Sequence, residues 1–169
     1  MRGAAALAAI LIAIAVQTTL GGYIFRGSSP AIDLVLIVVV YVAIKSGPVT
    51  GLLAGTVAGL IQDALSGGIL GIYGLAKTLI GFLSGLLGTQ FIVTAPLPRF
   101  LILLVATALH ATIFIGLNTL LNLQQVHAAY GAIAGQSFGN ALVGLVAFQM
   151  IEWFPGFVDR RRAGRFLKR

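Results

Sequence analysis

The chain has 169 residues, 59% of them hydrophobic and only 9% charged, with a mean hydropathy of +1.04. A soluble domain of this length needs about 25% charged residues to cover its surface, so a soluble globular fold is excluded and a polytopic membrane protein is expected. The net charge of +7 does not point to nucleic acid, and the lack of cysteine removes disulfides and thiolate metal sites.

At about 20 residues per spanning helix, the apolar content predicts an all-α fold of six transmembrane helices with no separate soluble domain. The first span covers residues 4–25. It opens like a secretory signal, with Arg2 before an apolar run and the small residues Ala13 and Ala15. The run continues well past them, so it is read as a retained span. After the loop around Gly27 to Pro30, a second run covers residues 31–45. It is short for a span and rich in Val and Ile. An unclosed strand in lipid would leave its backbone unpaired, so a helix is expected.

The third and fourth spans, 49–65 and 69–94, form a hairpin turning at Ser66-Gly67-Gly68. Gly47, Gly51, Gly55 and Gly59 follow one another every fourth residue, which places them on one helix face. Gly71, Gly74, Gly81, Gly85 and Gly88 follow at similar spacing, three, four or seven residues apart, in the second arm. Flat glycine faces let backbones approach in a bilayer, where helices associate by packing. Residues 95–99 read as a chain break, followed by spans at 100–123 and 128–154. The last carries Gly131, Gly135 and Gly139 and is expected to end at Pro155-Gly156, leaving 156–169 as a basic tail.

Counting Lys and Arg sets the orientation. With both termini cytoplasmic, that side holds Arg2, Lys45, Arg99, Arg160, Arg161, Arg162, Arg165, Lys168 and Arg169, and the other holds only Arg26. The tail would also attract anionic lipid.

Asp63 and Lys77 are costly within spans, at roughly 2.5–3.5 kcal/mol each near a helix centre. The hairpin suggests a mutual ion pair, with snorkelling to the interface or contacts to other groups as the alternative, and a transport or proton-relay role behind both. Asp33 begins the second run, where an acid complements the helix dipole. Glu152, beside Trp153, is expected to be solvated. His110, Phe114, Asn118 and Asn122 form a polar stripe on the fifth span, and Gln136 and Asn140 share a face of the sixth. Interhelical hydrogen bonding is the expected use of these groups, and a ligand cavity the alternative. His110 and His127 fall at different depths, so no metal site is expected. No nucleophile with a base, no phosphate loop and no cofactor motif is present, and enzymatic activity is not expected.

Several spacings occur in a fixed order. Pro30-x-x-Asp33 opens the second run, and Lys45-Ser46-Gly47-Pro48 closes it. Then follow Gly51-x3-Gly55-x3-Gly59-Leu60-x2-Asp63-x3-Gly67, Leu70-Gly71 and Thr78-x2-Gly81-x3-Gly85. This combination resembles the rod shape-determining protein MreD family. The resemblance implies a non-catalytic inner-membrane subunit of the bacterial cell-elongation machinery. Its implied partners are an MreC-like single-span protein, a RodA-type glycosyltransferase, a class B transpeptidase and, further, MreB. It also implies a fold like the substrate-binding subunits of energy-coupling-factor transporters. That likeness supplies the alternative function, a membrane subunit that binds a vitamin or metal for transport. At least one glycine face is expected to look outward, toward the spans of partners.

Overall fold

The structure is a computed structural model describing residues 3–24, 32–67, 69–91, 93, 95–121 and 130–166, the backbone alone for 20–24 and 154–166. Arg26, Pro30, Gly68, Asn122 and His127 lie outside the described residues, as do the side chains of the basic tail.

All regular structure among the described residues is α-helical: α1 (Gly3–Ile24), α2 (Leu34–Ser46), α3 (Pro48–Ser66), α4 (Ile72–Gln90), α5 (Pro96–Leu120) and α6 (Tyr130–Phe166). Four stretches are long and apolar enough to cross a membrane: Pro48–Ser66, Ile72–Gln90, Pro96–Leu120 and Tyr130–Trp153. Helix α2 has only 13 residues, about 20 Å at 1.5 Å per residue. A helix apolar all round belongs inside a bundle, and Val35 to Ile37, Val39, Val40 and Val42 to Ile44 are all buried.

Two apolar clusters share α2. One joins Val35, Val39 and Val42 to Ile10 and Ile14 of α1 and Ala54 and Ala58 of α3. The other joins Leu36, Ile37, Val40 and Ile44 to Ile80 of α4, Leu103 of α5 and Phe148 of α6.

The boundaries depart from expectation at several places, and α4 ends at Gln90 rather than at 94, with Phe91 already extended. Helix α4 starts at Ile72, because Gly71 ends the connection in the left-handed region at φ 110°. The expected break at 95–99 is instead the first turn of α5, with Pro96 at its start. Proline fits there because the first-turn N–H groups have no intrahelical acceptor. Helix α6 continues past Pro155 to Phe166.

The glycine hairpin forms as backbone-on-backbone contact. A methyl group at Gly51 would strike the Gly81 carbonyl, one at Gly55 the Lys77 carbonyl, and one at Gly59 the Tyr73 carbonyl. Gly85 meets Pro48, and Gly88 meets Ile44. Gly47 joins α2 to α3 as a single residue with φ 90°, a conformation that glycine adopts without steric cost. Thr56 and Thr78 share a hydrogen bond of 2.8 Å across the same interface. These faces are therefore spent internally. Gly131 and Gly135 of α6 have open space around them, and Gly139 is half-buried. The close approach on α6 comes one turn beyond the expected glycine stripe, at Gly144, where a methyl would meet Leu103 at 2.5 Å.

Candidate functional site

The ionisable residues sort into three clusters. At the hairpin tip, Asp63 is 2% exposed. Its Oδ2 accepts from the backbone N–H of Gly71 and Gly74, each at 2.9 Å, and its Oδ1 from Tyr73 at 3.0 Å. The first N–H groups of a helix lack internal acceptors and carry the positive end of its dipole. A carboxylate from the last turns of α3 therefore caps α4.

The expected Asp63–Lys77 pair is not formed. Lys77 is 0% exposed, so it does not snorkel either, and its ammonium pairs with Asp33. Lys77 lies deeper in α4 than the first-turn N–H groups that occupy Asp63. Its backbone carbonyl faces Gly55 of α3, while its side chain runs to the start of α2.

Asp33 is the junction of the second cluster. It is the N-cap of α2, with Oδ1 accepting from Leu36 N–H at 2.9 Å and Oδ2 accepting from Lys77. Its own N–H donates to Asn140 Oδ1 of α6 at 2.8 Å. Asn140 in turn donates to Thr107 Oγ1 at 3.2 Å, and Thr107 donates to the Leu103 carbonyl. His110 Nε2 lies 3.5 Å from the Lys77 ammonium. The Tyr73 ring sits 5.5 Å from that ammonium and stacks on Phe114 with centroids 4.5 Å apart. Gln17 of α1 reaches the same helix end, accepting from Val35 N–H at 3.1 Å. One buried polar group thus draws on α1, α2, α4, α5 and α6.

Of the residues expected to be functional, Asp33, Lys77, His110 and Asn140 meet here. Asn118 does not, because its amide donates to the Phe114 carbonyl of its own helix at 2.8 Å. Gln136 is half-buried. Sequence reasoning missed Gln17, Tyr73 and Thr107. A lone glutamine within the apolar first run was the available signal for Gln17.

The third cluster lies at the opposite end of the bundle. Glu152 is exposed as expected, and it also bridges Lys45 at 2.6 Å and Arg99 at 2.8 Å. Arg99 is 3% exposed, donates also to the Val93 carbonyl at 3.2 Å, and covers the Phe148 ring at 5.6 Å. Glu152 is solvated on one side only, because the ends of α2 and α5 converge on it.

Each carboxylate in these clusters is held by protein donors, and the contacts join helices to one another. The arrangement fixes helix register. Among the described residues no group of three His, Asp or Glu side chains converges as metal ligands would.

The model of the rod shape-determining protein MreD matches residues 3–158, nearly the whole chain. The chain belongs to the MreD family. It is accordingly a rod shape-determining membrane protein. Comparison with curated proteins and with solved structures yields no match. The spacings that carried the MreD resemblance now have physical roles. Gly51, Gly55, Gly59, Gly81 and Gly85 let α3 and α4 touch, Asp63 caps α4, and Asp33 pairs with Lys77.

Proposed function

We propose that this MreD protein is a non-catalytic scaffold of the bacterial cell-elongation complex. It would hold an MreC-like single-span protein beside a RodA-type glycosyltransferase and a class B transpeptidase, with MreB as a further partner. In this reading it sits in the inner membrane with six spans and both termini in the cytoplasm, its tail against anionic lipid. The distribution of Lys and Arg supports that orientation, since Lys45 and Arg99 share one end of the bundle. The proposed fold is that of the six-helix substrate-binding subunits of energy-coupling-factor transporters.

The observation that carries the scaffold reading is how the intramembrane polar groups are used. Asp33, Lys77, His110 and Asn140 are the groups a transported ligand would recruit, and here they engage one another. Charged groups kept inside spans are costly and persist when paired. In this chain the pairing sets helix positions, which is what a scaffold presenting fixed faces to partner spans requires.

Affinity capture from native membranes followed by mass spectrometry tests the proposal. Recovery of a single-span protein with a periplasmic coiled coil, together with cell-wall synthases, is expected. Recovery of a cytoplasmic ATPase module with a bound small molecule would overturn it in favour of a transport subunit.

A further inference from the structure

The helices pack as two groups. Helices α1 to α4 share the glycine hairpin and the contacts of α2 with α3 and α4, whereas α5 and α6 pack chiefly on each other. The α5–α6 pair is stapled over the first half of α5, between Arg99 and Thr107. Asn140 meets Thr107, Gly144 meets Leu103, Phe100 meets Phe138 edge-on at 5.7 Å, and Arg99 meets Glu152.

Between the groups the contacts are of two kinds. The middle is apolar, with Leu36, Ile37, Val40 and Ile80 against Leu103, Ala141 and Phe148. Apolar burial is non-directional, so it tolerates small sliding. Register comes from polar contacts at the two ends. Asp33 N–H to Asn140 and Lys77 to His110 lie at one end, and Lys45 to Glu152 at the other. Between α4 and α5 lies a groove of about 310 Å³, open to the surface of the bundle and lined by Ile80, Leu83, Ser84, Leu87, Val105 and Leu109. These two helices are therefore not in the backbone-on-backbone contact that joins α3 to α4.

The two end contacts differ in access. The Asp33–Lys77 end is sealed, with side chains 6% and 0% exposed, while Glu152 and Lys45 are 32% and 36% exposed. The outside of the molecule can therefore reach one of them.

We propose that α5 and α6 shift as one unit against α1 to α4, and that the Lys45–Glu152–Arg99 contact sets the width of the slot between α4 and α5. Breaking that contact releases one end of the pair while the buried Asp33–Lys77–Asn140 end serves as the pivot. Under the scaffold reading, on which its biological use rests, such a shift would relay events at the Lys45 end to helix faces elsewhere in the membrane.

The chain has no cysteine, so nitroxide labels attach only where cysteines are introduced. Leu83→Cys with Val105→Cys reports across the slot, and Leu101→Cys with Val146→Cys reports within the α5–α6 pair. All four positions are exposed. In the full chain reconstituted in lipid nanodiscs, Glu152→Gln and the milder Lys45→Gln are each compared with the parent by pulsed electron resonance. The expected result is a shift or broadening of the slot distance by about 1–2 Å, the scale of helix shifts at packed interfaces, with the 101–146 distance unchanged. Lys45→Gln leaves the Arg99–Glu152 contact within the pair in place, so an unchanged slot distance in both variants overturns the proposal, as does an equal change within the α5–α6 pair in Lys45→Gln. No partner is needed, so failure here leaves the scaffold reading intact, and failed partner capture leaves this measurement valid.

Discussion

Gly51 and Gly81 face each other so closely that a methyl group on either would strike the backbone carbonyl of the other. Neither residue can relax by turning a side chain, since the obstacle is main chain. Gly51→Ala or Gly81→Ala is expected to lower stability by about 1–3 kcal/mol, the usual cost of overpacking. Gly131→Ala and Gly135→Ala, which meet open space, should be neutral or slightly stabilising because alanine is the better helix former. Thermal unfolding in detergent distinguishes the two sets. Equal losses in both would show that glycine at 51 and 81 is not there for close approach.

Asp63 holds three backbone N–H groups at the start of α4. Asp63→Ala leaves them without their acceptor, at about 1–3 kcal/mol per unsatisfied buried group, reduced where water can enter at the hairpin tip. Asp63→Asn keeps one acceptor oxygen and should fall between Ala and the parent. Proteolytic nicking between Gly67 and Gly71 should rise in the same order. Unchanged nicking in Asp63→Ala would mean the cap does not hold the turn.

The buried pair predicts a specific pattern of rescue. Asp33→Ala or Lys77→Ala leaves a lone charge in the bundle and is expected to cost about 3–5 kcal/mol. Removing both charges together, with Asp33→Asn and Lys77→Met, should recover much of that loss. Exchanging Asp63 and Lys77 should recover nothing, because Lys77 pairs with Asp33. Yield of folded protein and restoration of rod shape in cells lacking MreD are the readouts. Rescue by the 63/77 exchange would contradict the observed pairing.

At the other end of the bundle, Lys45→Gln removes a half-exposed partner of Glu152 and should cost no more than about 1 kcal/mol. Glu152→Gln is expected to cost more, because it strips the carboxylate from Arg99, which is buried. Raising salt should narrow the gap between Lys45→Gln and the parent, since exposed pairs are screened more than buried ones. Equal losses in the two variants would show that Arg99 gains nothing from Glu152.

The membrane class and helical state of this chain, and the glycine-lined contact between its third and fourth helices, were decided locally. Hydrophobic content excludes a soluble surface, lipid excludes unpaired backbone, and a four-residue spacing places glycines on one face whatever lies opposite. Tertiary structure decided which charge meets which. Lys77 and Asp33 are 44 residues apart, and their meeting depends on how α4 is rotated against α2, which the whole bundle sets. Asp63 turned to backbone N–H groups whose geometry exists only once α4 begins at Ile72. Glu152 found Lys45 and Arg99 because three helix ends converge there. Each residue around a helix points about 100° from the last, so spacing along one helix defines a face, and only packing in three dimensions says what that face touches.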